Sequence, residues 1–306
     1  MSRKHVDVLL FTLLAAFWGG SFVAIKFVVR DYPPLFGALL RVAVALAVLA
    51  ALFKKEGRNL RVPPKLRARM WLAGLFAQGL PFLLLFWGER LISPGLAGIL
   101  NGTVPLWAFC IGMARGGEVF TRRKTAGLLL GFAGIAVICG PLLSFSGTRA
   151  ELTGTAEVLL MAVCYAIGSL MTRSILAGGA KADFRANAFH QNCGSVLFLL
   201  IVSGFSETWP PASVIFGSPA ALASVLYLGV FSTALAFLIY FHLIREWGAV
   251  RASAVTYVAP VFAVFWDYVF FRNVPPASEL LGVAAILSGV VLLHQTATPS
   301  VTGRSS

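Results

Sequence analysis

The segment Gly74–Phe86 reads GLFAQGLPFLLLF, and the segment Gly229–Phe241 reads GVFSTALAFLIYF. Both segments begin with glycine and have phenylalanine at their third, ninth and last positions. The same shift, from position 74 to position 229, aligns three further glycine and proline pairs: Pro105 with Pro260, Gly127 with Gly282, and Gly134 with Gly289. Because glycine and proline mark special backbone positions, the pairs indicate that the chain is an internal duplication.

The composition excludes a soluble globular domain. Hydrophobic residues make up 58% of the chain, charged residues only 12%, and the mean hydropathy is +0.84. Several continuous apolar runs reach the roughly 20 residues that cross a bilayer as a helix. The alternating strands of a transmembrane barrel are not found. The sequence therefore predicts an all-α polytopic membrane protein.

Ten apolar runs predict ten transmembrane helices, arranged as two inverted five-helix repeats. Residues 1–146 form the first predicted repeat, residues 147–296 the second, and residues 297–306 a disordered cytoplasmic tail. Because each repeat has an odd number of spans, the two repeats must cross the membrane in opposite directions. The predicted spans are Val8–Val29, Pro34–Phe53, Arg69–Leu91, Gly95–Met113, Thr125–Leu143, Leu152–Leu176, Phe184–Gly204, Pro219–Ile244, Ala249–Phe271 and Pro276–His294.

The formal net charge of +13 is distributed as expected for a membrane topology, and we expect no nucleic-acid partner. Most basic residues fall in alternate loops, which the positive-inside rule places in the cytoplasm together with both termini. These loops are expected to contact anionic lipid headgroups. The loops predicted to lie outside retain few basic residues: Arg30, Arg90, Arg149 and Arg272.

Several motifs resemble those of the EamA-type transporters of the drug/metabolite transporter (DMT) superfamily. They are Phe17-Trp18-Gly19-Gly20-Ser21-Phe22, Arg41, the run from Ala97 to Pro105, Gly116-Gly117-Glu118, and Gly127 to Gly134. The resemblance covers residues 6–295. It implies a ten-helix carrier of small metabolites in the bacterial inner membrane, commonly an exporter of amino acids or related amphipathic compounds. The chain departs from the family at Arg272-Asn273, where many relatives have an acidic residue.

Polar and aromatic residues within the spans are the candidates for a substrate site, because polar groups in a membrane usually face a bundle interior or a wet cavity. Simple packing remains the alternative for each of them. The candidate substrate-binding residues are Trp18, Phe22, Gln78, Phe82, Asn101, Trp107, Tyr165, His190, Gln191, Thr233, Phe237, Thr256 and Tyr257.

Two basic residues lie inside the predicted spans. Arg41 is about two turns from the end of the second span. It is interpreted either as a brace between helices or as a charge partner for a substrate carboxylate. Lys26 is expected to reach the outer headgroups.

No acidic residue is assigned to the central layer, since Glu157 and Asp267 fall toward the outer span ends. We therefore expect facilitated or weakly coupled transport. Proton movement through His190 or a peripheral acid is the alternative.

These observations predict a secondary carrier that moves a small amphipathic metabolite, such as an amino acid, by alternating access, with export as the expected direction. Uptake of a vitamin, nucleobase or sugar-like compound is the alternative, and a channel or an intramembrane enzyme is more remote. The chain has no HExxH, nucleophile-elbow or P-loop motif, and its four cysteines lack metal-ligand spacing. We expect no cofactor or metal. The oligomeric state is open, and a monomer is compatible with the sequence.

Overall fold

The computed structural model describes residues 3–57, 60–116, 121–143, 148–177, 183–247, 252 and 254–294. The predicted tail at residues 297–306 lies outside this described part. Within it, all regular secondary structure is helical. The long helices are α1 (Arg3–Asp31), α2 (Pro34–Lys55), α3 (Pro64–Gly88), α4 (Pro94–Ala114), α5 (Arg122–Leu143), α6 (Arg149–Leu176), α7 (Phe184–Ser206), α8 (Pro219–Ile244), α9 (Val255–Phe271) and α10 (Ala277–His294), and a short helix, Ala212–Gly217, precedes α8.

A helix lies over each predicted span, and the ends differ by a few residues. Eight helices, α1 to α8, are long and apolar enough to cross a membrane, whereas α9 and α10 are shorter apolar helices. The chain is therefore a multi-pass helical membrane protein.

Local sequence signals explain where many helices begin. Pro34, Pro64 and Pro94 occupy the first helical turn, where the missing N–H leaves no intrahelical hydrogen bond unmade. The Ser93 hydroxyl accepts a hydrogen bond from the Leu96 N–H at 3.1 Å and caps α4. The connections before α2 and α4 are only a few residues long, so the helices that each one joins run antiparallel.

Helices α3 and α8 both contain a π-helical segment near their middle. The first covers Leu75–Gly79 and the second covers Val230–Leu235. The shift that aligns Gly74 with Gly229 also aligns the starts of these two segments. Single π turns within α-helices are frequently found at functional sites.

Helices α5 and α10 approach each other through glycine. A Cβ atom added to Gly127 would lie 2.6 Å from the Gly289 carbonyl oxygen, and one added to Gly134 would lie 2.7 Å from the Gly282 carbonyl oxygen. Such small-residue contacts allow transmembrane helices to pack closely. These glycine contacts are made within a single chain.

The remaining helices surround a common core. Helix α1 packs against α8 and α9, α2 against α7 and α8, and α3 against α6 and α7. The end of the bundle where α2 ends and α3 begins carries Lys54, Lys55, Lys65 and Arg67, and is called the basic face. The end with the α1–α2 and α3–α4 connections is called the opposite face.

Candidate functional site

Arg41 is the most deeply buried cation in the described part of the bundle. Its side chain is only 4% exposed. The Nε atom donates a hydrogen bond to the Thr233 hydroxyl at 3.1 Å, which links α2 to the π segment of α8. The Nη1 atom has no hydrogen-bond partner among the described residues. A buried guanidinium with an unused donor can bind an anionic group such as a carboxylate.

Aromatic rings cover one side of Arg41. The guanidinium carbon lies 3.9 Å from the centroid of the Phe82 ring, a cation–π contact. Phe82 in turn meets Tyr165 edge-on, with ring centroids 6.4 Å apart. Glu89, Tyr165 and Tyr227 are the ionisable groups that act electrostatically on Arg41. A buried cation and an apolar surface therefore lie side by side.

Gln78 lies in the π segment of α3, one helical turn before Phe82. Its side chain is 1% exposed, and neither the amide nitrogen nor the amide oxygen has a hydrogen-bond partner in the described structure. A buried amide without partners costs about 1–3 kcal/mol. Such a group is either a stability defect or a binding group in a conformation without ligand.

The two π segments satisfy their backbones differently. In α8 the Thr233 hydroxyl donates to the Leu228 carbonyl at 2.8 Å, so the helix uses its own side chain. In α3 the carbonyl of Gly74, just before the π segment, accepts from Ser195 of α7 at 2.9 Å. Because Ser195 supplies the donor from a neighbouring helix, Gln78 is not needed for that purpose.

Two cavities flank this buried layer. At the basic face, a cavity of about 670 Å³ is lined in part by Lys54, Arg61, Arg67 and His190. At the opposite face, a cavity of about 310 Å³ is lined by residues that include Glu151, Asp267, Asn273 and Glu279. Neither Arg41 nor Gln78 lines either cavity.

His190 and Gln191 lie on α7, apart from the contacts around Arg41. The His190 Nδ1 atom accepts from the Trp71 indole N–H at 3.4 Å, which leaves Nε2 to donate to the Leu60 carbonyl at 2.9 Å. Gln191 donates to the Thr172 hydroxyl at 2.8 Å. Both side chains have protein partners, as expected for the packing alternative.

Two predicted tryptophans lie in separate aromatic contacts. Trp18 packs against Tyr240, with ring centroids 5.5 Å apart, and belongs to a smaller core between α1, α8 and α9. Trp107 donates to the Thr103 hydroxyl at 3.2 Å and meets Phe132 edge-on.

None of the contacts given above joins the remaining five candidates to Arg41 or Gln78. Phe22 is 4% exposed and belongs to the main core, where it packs near Gly98. Four others are half-buried: Asn101, Phe237, Thr256 and Tyr257.

The expectation for Lys26 was wrong. Its ammonium group does not extend to headgroups but donates to the backbone carbonyls of Glu89, at 2.5 Å, and Ile92, at 2.9 Å. The reason is that the α3–α4 connection covers this part of α1. Sequence reasoning also overlooked Glu89, which is fully buried. The available signal was a basic residue and an acidic residue near the same-side ends of the first and third helices, α1 and α3.

The described residues form a bundle of apolar helices around a buried layer of polar side chains. This arrangement, which keeps polar groups away from lipid, is that of a multi-pass membrane protein. The chain belongs to the EamA-like transporter family, whose sequence model matches residues 6–140 and 152–295.

Several curated relatives are transporters by name. A "Probable terminal-alkyne amino-acid exporter" of Streptantibioticus cattleyicolor is 27% identical, with 95% of this chain and 94% of that protein covered. An uncharacterized transporter of Archaeoglobus fulgidus is 26% identical, with coverages of 92% and 96%. The uncharacterized transporter YoaV of Bacillus subtilis is 25% identical, with coverages of 95% and 97%.

The fold also has a solved counterpart. One crystal structure aligns with a TM-score of 0.64 at 19% identity, covering 94% of this chain and 96% of that one. At this identity the likeness concerns the fold. Membrane transport as the general role of this protein is supported by the family match and the named relatives.

Proposed function

We propose that this protein is a secondary carrier that moves a small amphipathic metabolite bearing a carboxylate, such as an amino acid, by alternating access. The observation that carries the proposal is the buried pair of unused groups at the centre of the bundle. Arg41 offers a free Nη1 donor, and Gln78 offers both an amide donor and an amide acceptor. A carboxylate would satisfy the arginine, while the glutamine would bind the substrate's other polar group.

The neighbouring rings fit the apolar part of such a substrate. Phe82 and Tyr165 lie beside Arg41, so a ligand held by its carboxylate would place its side chain near aromatic surface. Binding sites for small molecules commonly combine apolar walls with a few polar groups that fix orientation. The exporter name of the Streptantibioticus relative favours an amino acid and outward transport.

Alternating access is supported by the relation between the two halves, residues 1–146 and 147–296. The contact between Gly127 and Gly289 has a counterpart between Gly134 and Gly282, and the internal shift exchanges these two contacts. That reciprocity is expected for two inverted repeats related by a twofold axis in the membrane plane. In this proposal α9 and α10 also cross the membrane, which makes ten spans.

The two cavities suit a carrier that opens to either side in turn. One lies at the basic face and one at the opposite face, with the Arg41 layer between them. By the positive-inside rule the basic face lies in the cytoplasm, with both termini, and the membrane is the bacterial inner membrane. Lysine and arginine around the larger cavity would attract anionic groups from the cytoplasm.

Counterflow in proteoliposomes tests this function. The purified protein is reconstituted into vesicles loaded with unlabelled compound, and uptake of the labelled compound is followed for alanine, leucine, phenylalanine, thiamine and uridine. Saturable exchange of at least one amino acid, absent from protein-free vesicles, is expected. Exchange of thiamine or uridine alone, or of none of the compounds, would overturn the proposal.

A further inference from the structure

Glu89, at the start of the α3–α4 connection, is a carboxyl group buried without hydrogen bonds. Its side chain is 0% exposed, and neither carboxyl oxygen has a partner among the described residues. An ionised carboxylate deprived of both water and donors is strongly disfavoured, and such groups in membrane proteins commonly mark proton pathways. The neutral, protonated form fits this environment.

The other buried acid at the same end of the bundle is held differently. Asp267 on α9 accepts hydrogen bonds from the Gly95 N–H and from the Asn273 amide, both at 2.9 Å. Asp267 is therefore held as an acceptor in a structural link between α9 and α4. Glu89 has no such structural task in this conformation.

Charged groups on three other helices influence Glu89. Lys26 on α1, Arg41 on α2 and Asp267 on α9 act on it electrostatically. On α6, Glu157 lies beside Gly88, the residue before Glu89, and is itself influenced by Arg90. Two cations near one buried carboxyl would stabilise its ionised form once water could enter.

Lys26 is positioned to become that partner. Its ammonium group has three N–H donors, and two of them bind the backbone carbonyls of Glu89 and Ile92. Among the described residues, no salt bridge joins Lys26 to the Glu89 carboxyl. A small separation of α1 from the α3–α4 connection would free the ammonium group for an ion pair.

Building on the carrier function proposed above, we propose that Glu89 is the proton-binding group that couples transport to the proton gradient. In the closed arrangement seen here, Glu89 holds a proton. When the connection opens and is hydrated, the O–H bond breaks, the proton passes to water, and the carboxylate pairs with Lys26. Each transport cycle then moves a proton as well as the metabolite, in contrast to the facilitated transport expected from the sequence.

The test separates gradient-driven transport from simple exchange. Proteoliposomes containing wild-type protein, Glu89→Gln or Glu56→Gln are assayed with labelled leucine and phenylalanine, both by counterflow and by accumulation under an imposed pH gradient. A trapped pH-sensitive dye follows proton movement. Glutamine imitates protonated glutamate in shape, so the variant should fold.

We expect Glu89→Gln to lower the ratio of gradient-driven accumulation to counterflow by about tenfold or more, and to abolish substrate-dependent proton movement. The matched control Glu56→Gln, which makes the same change at an exposed acid of the basic face, should behave like wild type. Wild-type counterflow without proton movement would overturn the coupling while leaving the carrier function intact. Gradient-driven accumulation that survives in Glu89→Gln would do the same. Absence of counterflow for every compound tested would instead reject the carrier function and the coupling with it.

Lys26→Gln gives a second readout that distinguishes electrostatics from structure. Without the lysine charge, ionised Glu89 is less stable, so the carboxyl retains its proton to higher pH. The midpoint of the pH dependence of proton-coupled transport should therefore move to more alkaline pH. A slower rate with an unmoved midpoint would contradict the role assigned to Glu89.

Discussion

The central segments of α3 and α8 occupy equivalent positions in the two halves, yet they treat their polar side chains in opposite ways. The Thr233 hydroxyl in α8 is used both as a donor, to the Leu228 carbonyl, and as an acceptor, from Arg41. Gln78, its counterpart under the internal shift, is buried and has no partner among the described residues. Both segments therefore share the backbone distortion, but the polar side chain is fully hydrogen-bonded in α8 and has no partner among the described residues in α3. Under the proposed function, the unpartnered Gln78 of α3 is a group through which a ligand can contribute binding energy.

The largest effect is expected from Arg41→Met, which removes the charge that lies between Thr233 of α8 and Phe82 of α3. Methionine keeps much of the apolar stem while deleting the donors offered to a carboxylate. Losing one partner of a buried charge pair costs about 2–5 kcal/mol, so counterflow of amino acids should fall by roughly a hundredfold. Counterflow is measured at matched amounts of reconstituted, monodisperse protein. Activity close to that of wild type would show that Arg41 only braces the helices.

Gln78→Leu should separate stability from transport. The change replaces a buried, unpartnered amide with an apolar group of similar size, which should raise stability by about 1–3 kcal/mol. Counterflow should nevertheless fall about tenfold, because the substrate loses a polar partner. Thermal unfolding in detergent is measured alongside transport. If stability and transport decrease together, Gln78 has a structural role instead.

The close glycine contact between α5 and α10 can be tested by substitution. Gly127→Ala places a methyl group against the Gly289 carbonyl, and such overpacking costs about 1–3 kcal/mol. The melting temperature in detergent should fall. Gly140→Ala on the same helix is the control, since a Cβ there meets nothing within 4 Å among the described residues. Equal melting temperatures for the two variants would argue against the close glycine contact.

The smallest effect is expected from Thr233→Val, the closed counterpart of Gln78. Valine keeps the shape but removes the acceptor for Arg41 Nε and the donor to Leu228, which should cost about 1–3 kcal/mol of stability. The affinity for substrate should change only a few-fold, because the hydroxyl of Thr233, a candidate from the sequence, already binds Arg41 and the Leu228 carbonyl and so acts by positioning Arg41. The substrate concentration that gives half-maximal counterflow measures this change in affinity. If counterflow fell as far as in Arg41→Met, the central segments of α3 and α8 would not differ in the way proposed here.

Much of the fold was predictable because hydropathy is a local property. The predicted spans Pro219–Ile244 and Phe184–Gly204 agree closely with α8 and α7, since long apolar runs bounded by proline or polar residues leave few alternatives. The internal repeat was predicted from matching glycine, proline and phenylalanine positions. The sequence could not show that the π segments occur, because they depend on which group binds the freed carbonyls: Ser195 of α7 does so for Gly74, and Thr233 of α8 itself does so for Leu228.

The candidate site was only partly predictable for a similar reason. Arg41, Gln78, Phe82, Tyr165 and Thr233 were all named from the sequence, but nothing in it separated them from His190 or Trp107, which have partners elsewhere. Glu89 was missed because an acid beside Arg90 at a span end resembles a hydrated pair. Its burial results from the packing of distant helices, which local patterns do not encode.

Competition by decarboxylated substrate tests the central claim most directly. In counterflow of labelled phenylalanine, unlabelled phenylalanine is compared with phenethylamine, which lacks only the carboxylate. The wild-type protein should prefer phenylalanine by about tenfold or more, and Arg41→Met, at its lower residual rate, should show a ratio near one. Equal competition in the wild type, or an unchanged preference in Arg41→Met, would contradict recognition of the substrate carboxylate by Arg41.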